Sequence, residues 1–262
     1  MNQLLLLSSL LFTSHAFAHS NVEPRIIGGT EVSQARAAQL GVVGIFNTKL
    51  MTICSGTLIS GERILTAAHC ADTAPSEIHV IFATDLNGFI ANPDTSREDV
   101  RWTRFVSVHP GWNHGSEGSE NDIALIGLDR PAPIAYIVQN FSEQQRQISA
   151  GTTAVIAGFG ANEIVLDPTT GKIRHLGPGR LRESTVKISS VGKNEVWVDQ
   201  SAGTGACLGD SGGPGYLIES GKLLLWGVVS RGSNSECNAV GKYTNVVPYL
   251  DWINSQSGSS FR

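Results

Sequence analysis

The sequence predicts an all-β chain that ends in one α-helix and divides near Tyr136 into two β-domains of similar size. Three observations support this. Short segments rich in Val, Ile, Leu and Thr recur between Gly, Asn, Asp and Pro. The 29 glycines are spread along the chain without a repeat, as many tight turns require. Helical periodicity is scarce until the last segment. A length of 262 residues and a hydrophobic fraction of 41% allow one large or two smaller packed cores.

In order along the chain, MNQLLLLSSLLFTSHAFAHS comes first, with an apolar run from Leu4 to Phe12 and then Ala16-Phe17-Ala18. That pattern predicts an export signal over 1–18, cut after Ala18, and a mature chain that is secreted or periplasmic. The run is too short to span about 30 Å of hydrocarbon, so no membrane partner is expected. The segments QLGVVGIF, CSGTLIS, RILTAA, EIHVIFA and DIALIGL then read as strands of the first domain. DRPAPIAYIVQN, with Pro131 and Pro133, reads as a connector. GTTAVIAGFG, NEVWVDQ, GYLIES and KLLLWGVVS supply strands of the second domain. In VVPYLDWINS, Val246, Tyr249, Leu250 and Ile253 fall at helical spacing, with Pro248 suited to a first turn. NGFIANPDTSRED, GWNHGSEGSEN and ANEIVLDPTTGKIRHLGPGR read as polar, turn-rich loops. The overlapping stretch ATDLNGFIANPD contains Asp85, Asn87 and Asp94 without EF-hand spacing and reads as a solvated loop. A site between the two domains is the expected location for chemistry.

The formal net charge of −4 provides no basic footprint for nucleic acid. Four cysteines in an exported chain predict two disulfides and allow three pairings. The spacings favour Cys54 with Cys70 and Cys207 with Cys237, because each pair closes a local loop. No CxxC or HxxxH accompanies them, so a zinc cluster is not expected.

Three short motifs contain residues suited to nucleophilic catalysis. His69 stands in LTAAHC, Asp122 in ENDIALI and Ser211 in GDSGGP. A serine hydroxyl needs a neighbouring base to take its proton, and neutral imidazole suits that task. A buried carboxylate would hold the imidazole in one tautomer. The glycines around Ser211 allow a sharp turn that exposes the side chain and aims N–H groups at a developing oxyanion. GDSGG also fits the G-x-S-x-G elbow of α/β-hydrolases, but that fold needs a histidine after the serine. All seven histidines precede Ser211, so that reading fails.

The order His69, Asp122, Ser211, with TAAHC, NDIALI and GDSGGP nearly unmodified, resembles the chymotrypsin–trypsin family of serine proteases. RIIGG, from Arg25 to Gly29, resembles that family's activation site, and the likeness runs from about Ile26 to Ser255. The resemblance implies two antiparallel Greek-key β-barrels with the active site in the cleft between them. It implies a propeptide at 19–25, a first barrel at 26–136, and a second barrel with the terminal helix at 137–262. Ser211 would be the nucleophile, His69 the base and then the acid, and Asp122 its orienting carboxylate. The amides of Gly209 and Ser211 would form the oxyanion hole. Cleavage after Arg25 would free the amine of Ile26 to pair with Asp210. No metal or organic cofactor is required. The implied partners are protein or peptide substrates, an activating protease and protein inhibitors, with the enzyme itself a monomer.

The same resemblance places Gly205 at the floor of the primary specificity pocket, Gly232 and Gly241 in its wall, and Ser230 beside the triad. Trypsins carry Asp at the floor, so a neutral slot for large apolar or aromatic side chains is expected here. Asp199 or Glu236 would restore a basic preference if either reached the pocket. Arg231 stands where the family usually has tryptophan. A pocket that rejects arginine would leave activation at Arg25 to a separate protease.

Overall fold

The computed structural model describes residues 26–114, 120–141 and 148–257. The expected export signal, the propeptide with Arg25, and part of the GWNHGSEGSEN loop lie outside the described residues. β1 (Thr30–Glu31) leads into α1 (Gln34–Leu40), which Ser33 caps by accepting the Arg36 amide and which ends on left-handed Gly41. The first barrel contains β2 (Val42–Asn47), β3 (Thr52–Ser60), β4 (Arg63–Thr66), β5 (Ile78–Ile81), β6 (Val100–Val108) and β7 (Ala124–Leu128). It closes in the order β2-β3-β4-β7-β6-β5. Two short helices, α2 (Ala68–Ala71) and α3 (Asn87–Ala91), interrupt it.

After β8 (Asn140–Phe141), the second barrel is built from β9 (Thr153–Gly158), β12 (Arg182–Val191), β13 (Glu195–Asp199), β14 (Pro214–Glu219), β15 (Lys222–Gly232) and β16 (Val240–Asn245). The hairpin of β10 (Glu163–Leu166) and β11 (Ile173–Leu176) stands outside it. β9 pairs with both β12 and β14, which closes the ring β9-β12-β13-β16-β15-β14. Both barrels share one topology: three successive strands lie side by side, and the fourth returns beside the first, as β5 does on β2 and β14 on β9. That is a Greek key in each half. The chain ends in α4 (Leu250–Ser257), and Val246, Tyr249 and Ile253 are buried as their helical spacing predicts.

Apolar alternation inside each closed sheet makes two cores. Trp226 and Tyr243 pack the second barrel with Ile156, Val186, Val198 and Ile26. The first core continues through Phe159, Tyr216 and Leu225 of the second barrel, so the cleft rests on shared packing. Burying each such side chain contributes roughly 1.5–3 kcal/mol. Among the described residues no helix is long and apolar enough to cross a membrane.

Several elements differ from the reading of the sequence. The NGFIANPD stretch is not simply a solvated loop, because α3 turns Phe89 fully inward, where it meets Phe46 and His79 edge-on. ANEIVLDPTTGKIRHLGPGR contains the β10–β11 hairpin, whose turn Asp167 holds by accepting the amides of Thr169 and Thr170. β6, β12 and β16 have no continuous apolar run. β12 alternates buried Val186 and Ile188 with exposed Thr185 and Lys187, while β6 and β16 bury polar residues such as Arg101, Thr103, Thr244 and Asn245.

Candidate active site

His69 stands on α2, one residue before Cys70, whose disulfide to Cys54 ties this turn to β3. Asp122 stands two residues before β7, whose residues are all buried. Asn121 before it adopts a left-handed conformation, at φ +62°, and its side chain is held by Gly111 and Tyr249. This turn directs the Asp122 carboxylate inward, where it is almost wholly buried. Asp122 Oδ1 accepts the His69 amide at 3.0 Å, and Oδ2 accepts His69 Nδ1–H at 2.8 Å. The Ser230 hydroxyl donates to the same Oδ2 at 2.6 Å. Burial pushes the Asp122 carboxyl upward, but the bonds and charge from His69, together with Ser230, outweigh it and hold the group below the usual carboxylate range. An ionised carboxylate only accepts, so Nδ1 carries a proton, and in the neutral ring that tautomer leaves Nε2 as the acceptor.

Ser211 and His69 line one cavity of about 350 Å³. The loop carrying Ser211 is pinned from both barrels. The Ser55 amide donates to the Ser211 carbonyl at 2.7 Å, and the Gly212 amide donates to Val229 at 2.8 Å. Gly209 sits at φ +101°, a conformation side-chain-bearing residues avoid, and its carbonyl accepts the Ser55 hydroxyl at 2.9 Å. The amides of Gly209 and Ser211 donate to no backbone carbonyl among the described residues. The Cys207–Cys237 bridge joins the start of this loop to the cavity wall.

Asp210 turns away from the cavity into the protein. Its carboxylate accepts the amides of Gly160 at 2.8 Å and Cys207 at 2.9 Å. A side chain on Gly160 would occupy the same space. Burial pushes its pKa up to about 7, against those two bonds and the positive charge of Arg182. Ile26 inserts its side chain into the second core beside Ala206, Trp226 and Tyr243. The Ile27 carbonyl accepts the Gly205 amide at 3.0 Å.

Ser230, Gly232 and Gly241 line the cavity, with Val229, Leu208 and the Cys207–Cys237 bridge forming apolar walls. Gly205 does not line it: a side chain there would overlap Gln200, which lines the cavity instead. Asp199 and Glu236 are exposed and do not line the cavity. Asp199 accepts the Ser201 amide at 2.9 Å and Glu236 pairs with the Ser235 hydroxyl. Arg231 does line it and reaches Glu195 at 2.5 Å and Ser230 at 3.2 Å.

Ser55 and Gln200 escaped the reading of the sequence. Ser55 had little to single it out, since β3 also contains the hydroxyls of Thr52, Thr57 and Ser60. Other histidines have structural partners. His79 is buried between Phe89 and Trp102, His109 packs on Tyr249 and Trp252, and His114 meets Asp72 at 2.7 Å. His175 donates to the Ser235 carbonyl at 2.8 Å. Two groupings, His69 with Cys54 and Cys70 and His175 with Cys207 and Cys237, have metal-like spacing. Their cysteines are disulfide-bonded and offer no thiolate.

Comparison with known proteins adds to this geometry. The profile of the family described as Trypsin matches residues 26–253. Chymotrypsin-like elastase family member 1 of Bos taurus is 27% identical over 278 aligned residues, covering 99% of this chain and 100% of that protein. Kallikrein-12 of Homo sapiens is 30% identical over 236 residues, 88% of this chain and 90% of the relative. Brachyurin of Leptuca pugilator is 32% identical over 220 residues, 79% of this chain and 89% of the relative.

Proposed function

Because the chain belongs to the trypsin family of serine endopeptidases, we propose that it is an exported enzyme made as an inactive precursor and working through Ser211, His69 and Asp122. In this reading residues 1–18 direct export and 19–25 form the activation segment. Domain 26–136 contributes His69 and Asp122, and domain 137–262 contributes Ser211. The observation that carries it is the His69 ring, bonded through Nδ1 to buried Asp122 in the same cavity as Ser211.

The chemistry follows from the proton inventory. His69 Nε2 takes the Ser211 proton as Oγ attacks the scissile carbonyl carbon. The imidazolium that forms is stabilised by the Asp122 carboxylate. The tetrahedral oxyanion accepts the N–H groups of Gly209 and Ser211, each worth on the order of 10²–10³ in turnover. His69 then protonates the leaving amine, and an acyl ester remains on Ser211. Water, deprotonated by His69, hydrolyses that ester and restores the serine.

Activation has an electrostatic rationale. A fully buried Asp210 carboxylate costs free energy while its surroundings supply two amides and the charge of the Arg182 guanidinium. Cutting the Arg25–Ile26 bond creates an ammonium at Ile26, whose side chain is already seated in the second core. Ile26 has φ +29°, strained for a β-branched residue, and an N-terminal residue has no φ to strain. Pairing that amine with Asp210 would lock the Gly209–Ser211 loop.

The cavity takes a large uncharged side chain before the scissile bond, since no carboxylate lines it among the described residues. A guanidinium there would lose its hydration without a counter-charge. The enzyme therefore does not cut after its own Arg25, and a separate trypsin-like protease activates it. Protein inhibitors that fill the cavity are natural partners, and the enzyme acts as a monomer. The direct test compares the Arg25-cleaved chain with Ser211→Ala on peptide substrates. Hydrolysis lost by at least about 10⁴-fold supports the reading; equal hydrolysis refutes it.

A further inference from the structure

Gln200 follows β13 and is buried, with 1% of its surface exposed, yet it lines the cavity that holds Ser211. Its Nε2 donates to the carbonyls of Ala206 at 3.1 Å and Cys237 at 2.9 Å. Those two contacts fix the amide orientation, because the reverse would set oxygen against two carbonyl oxygens. Oε1 therefore points the other way, and it has no hydrogen-bond partner. Gly205 and Gly241 make room for this amide, as a side chain at either position would overlap it.

We propose that Gln200 is a specificity-determining residue. Its Oε1 accepts a hydrogen bond from the far end of the substrate side chain before the scissile bond, so the cavity prefers tyrosine to phenylalanine. The proposal deepens the endopeptidase reading above and rests on it. Val229, Leu208 and the Cys207–Cys237 bridge suit an apolar ring, while one lone acceptor suits a donor at its tip. A cation gains less, since the amide is neutral and Asp199 and Glu236 stay outside the cavity. A substrate with a donor gives this buried oxygen the partner it lacks, while one without leaves it unpaired, and that difference is the discrimination.

The test compares four peptides that differ only before the scissile bond, carrying tyrosine, p-aminophenylalanine, phenylalanine or O-methyltyrosine. The unmodified chain is first cleaved after Arg25. Tyrosine and p-aminophenylalanine are expected to exceed phenylalanine about tenfold in kcat/KM, with O-methyltyrosine below phenylalanine. In Gln200→Met the tyrosine-to-phenylalanine ratio is expected to fall to about one. Phenylalanine matching or exceeding tyrosine in the unmodified chain, or preference for arginine or lysine, overturns the inference while leaving the endopeptidase reading intact. An unchanged ratio in a folded Gln200→Met does the same. If that variant does not fold, the four-peptide series alone decides. Hydrolysis of no peptide at all removes the endopeptidase reading and this inference with it.

Discussion

The Ser55 hydroxyl of the first barrel donates to the Gly209 carbonyl of the second at 2.9 Å. The same oxygen accepts the Phe159 amide at 3.0 Å, and the Ser55 amide donates to the Ser211 carbonyl at 2.7 Å. One fully buried residue of β3 thus holds the carbonyls at both ends of the Gly209–Ser211 turn. In Ser55→Ala the Gly209 carbonyl and Phe159 amide lose their partner. The expected result is a stability loss of about 1–3 kcal/mol. A fall in kcat of about ten- to a hundredfold should accompany it with little change in KM, because the proposed oxyanion donors, the Gly209 and Ser211 amides, belong to that turn. Thermal unfolding and steady-state kinetics on one peptide measure both.

Asp122→Asn preserves the shape of the carboxylate but replaces one acceptor oxygen with a donor. His69 then holds the wrong tautomer, and kcat is expected to drop by about 10⁴ while the fold persists. Ser230→Ala removes the 2.6 Å bond to Asp122 Oδ2 and the 3.2 Å bond from Arg231, but leaves the His69 tautomer in place, so it should cost far less. Kinetics of the two variants side by side check that ranking.

Asp210 is expected to make stability depend on pH, and to do so differently before and after the proposed cleavage. Its folded pKa is raised to about 7 from an unfolded value of 3.8, so between these values the native precursor binds the proton more tightly than the unfolded chain. Its contribution is therefore most favourable below about pH 4, is lost as pH rises toward 7, and stays lost above. Once the Ile26 amine pairs with Asp210, that loss disappears. Unfolding midpoints of precursor and cleaved chain should differ by more at pH 8 than at pH 4.5, with the cleaved chain the more stable.

Purified precursor free of other proteases should remain uncut at Arg25. Added trypsin-like protease should release Ile26 as the new N-terminus, with hydrolytic activity rising in step. N-terminal sequencing over time checks this; self-processing at Arg25 would contradict both the separate activator and the neutral cavity.

Strands buried on both faces were legible as apolar runs, which is why β2, β9 and β15 stood out. β12 was not, because its inward residues Val186 and Ile188 alternate with Thr185, Lys187 and Ser189, and the periodicity is short. α3 was hidden by its polar neighbours, although Phe89 anchors it. His69, Asp122 and Ser211 could be recognised because each sits in a distinctive local motif. Gln200 could not, since its role arises from packing against Gly205 and Gly241, which no local pattern in DQSAGTGAC reveals. The floor of the cavity is a tertiary property.

The most direct measurement is mass-spectrometric mapping of the Arg25-cleaved chain after reaction with a fluorophosphonate. One covalent adduct is expected, on Ser211, and it fails to form in His69→Ala. Labelling at a different serine, or at Ser211 with undiminished rate when His69 is gone, would contradict the proposed mechanism.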